Sequence, residues 1–190
     1  IAAALLFPLG LHYGLQGPLP DLIVKKISQG ENIVEIAEGM TGTTWATSSP
    51  FGMKLLENRV VISRTGPGSF PIQGYIPLVL APRIPRSVLG LCFGGGVSSH
   101  AGTLFSEVER FDFVDISRDN IAIALNHFEH NRGLKTDPRA RFIIDDAYNF
   151  LKYSGNRYDL ILMDPNPPTL SFRSAVLYTR EFYGLARARL

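Results

Sequence analysis

The chain holds a single cysteine, Cys92. One thiol cannot close an internal disulfide, and no cluster of Cys and His suggests a structural zinc site. Cys92 therefore reads as a small buried apolar residue rather than a reactive thiol. An excess of charge of one sign is also missing. Nineteen Lys and Arg face seventeen Asp and Glu, a net charge of +2 over 190 residues. That balance gives no electrostatic footprint for nucleic acid. Charged residues are few at 19% while hydrophobic residues reach 45%, a balance that excludes a disordered tail. Internal repeats and low-complexity tracts are absent. No basic leader precedes the first apolar run, IAAALLFPLGLHYGL, and a secretory signal would need one. The run is also shorter than the roughly 20 apolar residues of a bilayer span. It reads equally as the end of a membrane helix or as an apolar segment packed on the domain. Both ends read as cut, since the chain starts at Ile1 and its last helical pattern runs into Leu190 without a capping glycine.

What is present divides into four stretches. Residues 1–30 are the apolar segment and a linker punctuated by Gly17, Pro18 and Pro20. Residues 31–65 hold ENIVEIAEG, TTWATSS and MKLLENRVVIS, short β-branched and aromatic runs that predict a small antiparallel β domain. Residues 66–86 connect. Their GPGSFP is a breaker, and IPLVLAP is too short for periodicity to separate helix from strand. Residues 87–190 alternate: SVLGLCF, RFDFVDI, ARFIID and YDLILMD read as strands. Helices are expected from Ser98 to about Ser106, Arg118 to His130, Ala147 to Tyr153, and from Leu177 onward. Such alternation predicts an α/β fold with a parallel sheet covered on both faces.

Ligands of open α/β sheets bind beyond the carboxyl ends of the strands. The first predicted strand ends in Gly94, Gly95 and Gly96, where glycine lets backbone approach a ligand or simply packs a tight turn. The second ends in Asp115, 19 residues beyond Gly96. An acidic residue at that distance from a glycine turn commonly accepts from both ribose hydroxyls. The alternative is a helix cap, a role Ser117 or Asp119 fits as well. The third strand ends in Asp145 and Asp146, one suited to an adenine amine and the other to a cap. The fourth delivers Asp164 into a loop stiffened by Pro165, Pro167 and Pro168, which suits the positioning of a substrate amine. His100, His127 and His130 fall in helical stretches and read as surface or packing residues.

From Ser87 to Leu190 the run SVLGLCFGGG, FVDIS, IIDDAYNFL, YDLILMDPNPP and LYTREFYGLARARL resembles the spermidine synthase family, the polyamine aminopropyltransferases. CFGGG and NPPT…LYTREFY are similar to bacterial spermidine synthase-like proteins that carry a membrane region first. The resemblance implies a methyltransferase-like Rossmann sheet preceded by a small antiparallel β domain, with the last strands missing. It implies transfer of an aminopropyl group from decarboxylated S-adenosylmethionine to a polyamine-type amine, without a metal. Gly94, Gly95 and Gly96 would face the nucleoside's tail. Asp115, with Ile116, would hold the ribose. Asp146, beside Asp145 and Ala147, would take the adenine. Asp164 would be catalytic. Pro165, Asn166 and Pro167 would belong to a gate loop running to Ala175, with Leu177 and Tyr178 closing one wall. The resemblance also implies a small-molecule amine as partner, no nucleic acid, a membrane tether through the N-terminal segment at the cytoplasmic face, and a homodimer.

Three departures stand against it. Ser69, Phe70 and Pro71 replace a Tyr-His-Glu stretch, Pro167 replaces a second loop aspartate, and Cys92 stands where the glycine turn starts. A methyltransferase using intact S-adenosylmethionine fits the glycine turn and Asp115 equally. A non-catalytic nucleoside-binding domain is the third reading.

Overall fold

The computed structural model describes residues 31–66 and 72–190. The expectations for residues 1–30, the membrane tether among them, and for Ser69, Phe70 and Pro71 lie outside those residues. Among the described residues no helix is long and apolar enough to cross a membrane.

Strands β1 (Asn32–Gly39), β2 (Gly42–Ser49), β3 (Gly52–Glu57) and β4 (Val60–Arg64) form an antiparallel meander in chain order. The run MKLLENRVVIS thus folds back on itself. Asn58 and Arg59 both adopt positive φ, 50° and 71°, the primed turn whose twist matches a two-residue hairpin. The Asn58 amide donates to the Thr41 carbonyl at 3.0 Å and accepts from the Thr43 N–H at 3.2 Å. One side chain therefore ties the β3–β4 turn to the β1–β2 turn at the same end of the sheet.

Helix α1 (Ile72–Leu80) follows, so the IPLVL of IPLVLAP is helical although Pro77 removes one donor inside it. The second sheet contains β5 (Ser87–Leu91), β6 (Arg110–Asp115), β7 (Ala140–Ile144) and β8 (Leu160–Met163), all parallel, in the order β7-β6-β5-β8. Leu91 stands opposite both Val114 and Met163. The carboxyl ends of the three strands are therefore level, and the chain reverses its lateral direction between β5 and β8. That reversal is where open sheets leave a crevice.

Helices α2 (Arg118–His127), α3 (Arg132–Thr136), α4 (Ala147–Tyr153) and α5 (Arg180–Arg187) complete the domain with three 3₁₀ turns. Three expected helices differ in extent. Ser99–Leu104 is 3₁₀, where the Thr103 hydroxyl bonds back to the His100 carbonyl at 2.7 Å and competes with α-helical pairing. The stretch from Arg118 stops at His127 because Phe128 turns extended and buries its ring in the core. The last helix begins at Arg180, capped by Thr179, after a 3₁₀ turn over Phe172–Tyr178.

The period-two alternation of the parallel strands sends side chains to two cores. Phe111 and Phe113 join Phe93, Ile123, Phe128 and, from the meander, Ala46 and Leu55. Leu89, Leu91 and Val114 pack with Phe150, Leu151, Leu177 and Phe182. The meander is also fixed to α2 by polar contacts. The buried Thr44 hydroxyl donates to the Asn120 amide oxygen at 2.9 Å, and Glu35 pairs with His127.

A buried carboxylate also stands at Asp112, in the middle of β6. The Tyr158 hydroxyl donates to it at 2.6 Å, and the Arg141 Nε lies 2.9 Å from its other oxygen. Hydrogen bonds to charged groups contribute about 1.5–3 kcal/mol, and a buried acceptor left short loses that much. Tyr158→Phe should lower unfolding free energy by that amount, read from the urea midpoint at unchanged slope. Burial, then Asp112, pushes the Tyr158 phenol up to about 12. The folded value lies above the unfolded one of about 10, so this stabilisation is complete below pH ~10 and disappears as pH rises towards ~12. The Phe variant should lack that alkaline limb.

Candidate active site

The glycine turn after β5 is unusual from its first residue. Cys92 takes a positive φ of 65°, a conformation that costs a non-glycine residue about 1–2 kcal/mol. Gly94 follows with φ 53° and sends its N–H to the Asp115 Oδ2 at 2.9 Å. A Cβ at Gly94 would meet only the Ile62 carbonyl oxygen, at 4.0 Å, whereas one at Gly95 would lie 2.2 Å from the Ser63 hydroxyl of β4. The three glycines therefore divide. Gly94 lines the cleft, Gly95 lets the meander press on the turn, and Gly96 packs against Asn131 and Phe93. The Gly95 carbonyl accepts from the Asn131 amide at 2.9 Å and bonds the His130 Nε2 at 2.9 Å.

Asp115 is 7% exposed. Its second oxygen accepts from the Ser117 N–H at 2.8 Å. Burial raises the carboxyl above its ordinary range against the pull of those backbone donors, and Glu57 raises it further. Each carboxylate oxygen offers two lone-pair sites, so one donor apiece leaves room for two more. Ser117 itself caps α2 by accepting from the Asn120 N–H at 3.1 Å, which frees Asp115 from that duty. Ile116, half exposed, is the apolar flank.

At the end of β7 the Asp145 N–H bonds the Asp115 carbonyl at 3.1 Å, extending the ladder past the strand. Asp145 Oδ1 accepts from the Asp146 N–H at 2.8 Å, and Asp146 Oδ1 caps α4 through the Asn149 N–H at 3.0 Å. Both carboxylates and the buried Ala147 line the cleft. Asp146 therefore combines a cap with an oxygen that has no protein donor among the described residues.

Asp164 lies across β5 from Asp115, its N–H bonded to the Leu91 carbonyl at 3.3 Å. The Ser98 hydroxyl donates to its Oδ2 at 2.7 Å. With its amide nitrogen turned to the carboxylate, Gln73 of α1 donates to Oδ2 at 3.0 Å and Oδ1 at 3.2 Å. The side chain is thereby held from two elements. Pro165 and Asn166 continue the rim, while Pro167 borders a second cleft on the far side of Asp164. Tyr178 stands behind the loop and donates to the Pro165 carbonyl at 2.9 Å. Leu177 lines the cleft instead.

The cleft bounded by these tips has a cavity volume of about 140 Å³ and is open to solvent. Its lining also includes residues that no strand tip supplies. Thr41 and Glu57 come from the meander, Asn120 from α2, and Arg173 from the loop after β8. Arg173 donates to the Thr41 carbonyl at 3.2 Å, which draws that loop over the cleft. Glu57 leaves its Oε1 buried without a hydrogen-bond partner among the described residues. No spacing rule finds these groups, because meander and loop meet only in the tertiary fold. Chemically, the cleft offers acceptors for hydroxyl and amine donors along an apolar wall of Ile62, Val114, Ile116 and Leu177. No group of three or more His, Cys, Asp or Glu among the described residues is placed to hold a metal ion.

Known proteins share this architecture. Residues 77–190 match the spermine/spermidine synthase domain family. A polyamine aminopropyltransferase of Saccharolobus islandicus is 34% identical over 116 residues, covering 60% of this chain and 38% of the relative. One of Pyrobaculum calidifontis is 34% identical over 107 residues, covering 54% and 37%. A solved spermidine synthase in complex with the transition state analogue AdoDATO aligns with a TM-score of 0.75 at 20% identity, over 84% of this chain and 55% of that one. Spermidine synthase from Thermotoga maritima aligns with a TM-score of 0.71 at 19% identity, over 84% and 54%. These two share the fold, an antiparallel sheet followed by a Rossmann-like one. The chain spans less than two fifths of the length of the curated relatives it matches.

Burial pushes the Cys92 thiol up to about 12, and Asp115, Asp164 and Asp146 add to the shift. The thiolate is the reactive form. At pH 8 iodoacetamide should therefore alkylate the urea-unfolded chain and leave the native chain unmodified over the same period, as read by mass. Native labelling within tenfold of the unfolded rate would contradict this account of the turn.

Proposed function

The chain belongs to the spermine/spermidine synthase family, and on that premise we propose that it moves an aminopropyl group from decarboxylated S-adenosylmethionine to a small primary amine. The observation that carries the reading is the position of Asp164. It borders both the cleft beside Asp115 and Asp146 and the second cleft beyond it. A group that touches two compartments can align a donor in one with an acceptor in the other.

The residues divide the work. Asp115 has two acceptor sites left after Gly94 and Ser117, the number that a ribose diol fills. Asp146 keeps an oxygen for the exocyclic amine of adenine while its other oxygen caps α4. Gly94, without a side chain, leaves room for the nucleoside's tail. Pro165 and Asn166 close the rim above it.

The transfer is a displacement. The amine nitrogen forms a bond to the carbon beside the sulfonium, the carbon–sulfur bond breaks, and its electron pair returns to sulfur. Methylthioadenosine leaves, and the ammonium formed gives its surplus proton to the Asp164 carboxylate and from there to water. The sulfonium is already an activated leaving group. The enzyme's task is to present a neutral amine, although a free primary amine holds its proton up to about pH 10. Asp164 accepts a hydrogen bond from that amine and fixes its line of attack. Ser98 and Gln73 keep the carboxylate itself from turning. Orientation of this kind supplies effective concentrations on the order of 10⁵ M or more.

Asp164→Asn should lower turnover by roughly 10²–10⁴-fold, the usual scale of a positioned acid–base group. Its affinity for methylthioadenosine, measured by calorimetry, should stay unchanged. The wild type should release methylthioadenosine with the decarboxylated cofactor and not with the intact one. Methyl transfer from intact S-adenosylmethionine would overturn the reading in favour of a methyltransferase. Tight nucleoside binding with no product from any amine would overturn it in favour of a sensor.

A further inference from the structure

The glycine turn is held from the side away from the cleft. After Phe128 enters the core, the 3₁₀ turn Glu129–Asn131 meets Gly95. Two of its side chains converge on one atom. His130 Nε2 and Asn131 Nδ2 each lie 2.9 Å from the Gly95 carbonyl oxygen. A carbonyl oxygen only accepts, so Nε2 carries the proton and donates. The half-buried imidazole stands edge-on to the Phe128 ring, with centroids 5.8 Å apart, and 6.0 Å from the His100 ring. Burial holds it below the ordinary imidazole range, against the pull of the Gly95 carbonyl, and His100 lowers it further. Glu129 and Arg132, the charged residues beside it in the chain, are exposed and pair with each other at 3.4 Å. At neutral pH the ring thus meets the turn as an uncharged donor.

The Gly95 carbonyl begins a hydrogen-bonded chain. It shares a peptide group with the Gly96 N–H, which donates to the Phe93 carbonyl at 2.8 Å. The Phe93 carbonyl shares a peptide group with the Gly94 N–H, which donates to the Asp115 Oδ2 at 2.9 Å. Two peptide planes therefore run head to tail between an imidazole and a carboxylate. Groups linked in this way polarise one another, by about 10–30% per bond. A donor at one end strengthens the bond at the other. The same donor fixes the planes, which glycine backbone alone leaves free to turn. Asn131 divides its two N–H groups between Gly95 and the Ala124 carbonyl of α2, the latter at 3.1 Å, and so ties the turn to the helix. His130 gives its single Nε2–H to the turn alone.

We infer that His130 is a positioning residue for the nucleoside, one that acts through Gly95, Phe93 and Gly94 to hold the Asp115 carboxylate in the orientation that receives the ribose diol. The inference rests on the reading of Asp115 as the ribose acceptor. His130 does not line the cleft, so its contribution reaches the ligand only through the chain. Nothing in that chain touches Asp164, and the transfer step does not draw on it.

The test removes the donor and then restores it. Calorimetric titration with methylthioadenosine should show His130→Leu binding about five- to tenfold more weakly than the wild type, the lower range of a coupling between sites, because Asn131 still donates. His130→Gln, which keeps an N–H at a similar reach, should recover most of that loss. The 2′,3′-dideoxy analogue of methylthioadenosine offers Asp115 no diol, and with it the wild type and His130→Leu should bind alike. A role in packing alone would lower the urea midpoint and leave that contrast between ligands absent. The amide proton of Gly94 should move upfield in the NMR spectrum of His130→Leu and return in His130→Gln. In the wild type, nitrogen chemical shifts should place the imidazole proton on Nε2 at neutral pH, a measurement that needs no variant to fold. A bare Nε2, an unmoved Gly94 amide, or an equal loss for both ligands overturns the inference while nucleoside binding stands. If the wild type binds no methylthioadenosine, the ribose reading of Asp115 falls and the positioning role falls with it, whatever the Gly94 amide shows of the chain.

Discussion

The hydrogen bond from the Gly94 N–H to the Asp115 carboxylate joins the ends of the two central strands, and the site is built outward from it. It folds the turn after β5 down onto β6. That fold requires backbone with positive φ at Cys92 and Gly94, and it leaves Asp115 buried with its remaining lone pairs on the cleft side. A carboxylate in such a position is costly unless donors meet it. The turn supplies one donor and the start of α2 supplies the other, through Ser117. The parallel register then carries the arrangement sideways, through Asp145 to the Asp115 carbonyl and through Asp164 to the Leu91 carbonyl.

The meander completes what the parallel sheet begins. Ser63 fits against the turn only because Gly95 has no side chain, and Thr44 meets Asn120 at the start of α2. These contacts bring Glu57, Ile62 and Arg64 to the same rim as the strand tips. The acidic wall of the cleft thus comes from the parallel sheet, while the meander adds Glu57 and Ile62 from a different sheet.

The legible part of the molecule was the part governed by period and spacing. Apolar runs of strand length ending in Gly94, Asp115, Asp146 and Asp164 locate the rim without any tertiary information. Helix extents were less legible because single side chains decide them. The Thr103 hydroxyl bonds its own turn, and Phe128 leaves the helix to enter the core. The polar network at Asp112 was hidden inside RFDFVDI, a run whose other residues read as plain strand. Glu57 and Gln73 carry no local signal at all, and Arg173 is marked only by lying in the loop after β8. Each gains its place through packing between segments far apart in the chain. Asp146 shows the limit from the other side, since the same residue caps α4 and lines the cleft, which spacing alone does not reveal.

The Thr41 carbonyl accepts from both Asn58 and Arg173. Withdrawal of the Arg173 side chain leaves that oxygen still satisfied by Asn58, so breaking this contact forfeits one charge-assisted hydrogen bond, about 1.5–3 kcal/mol, and strands no buried acceptor. The hairpin ends need not rearrange as the loop departs. The loop after β8 is therefore joined to the meander at an oxygen whose satisfaction does not depend on it.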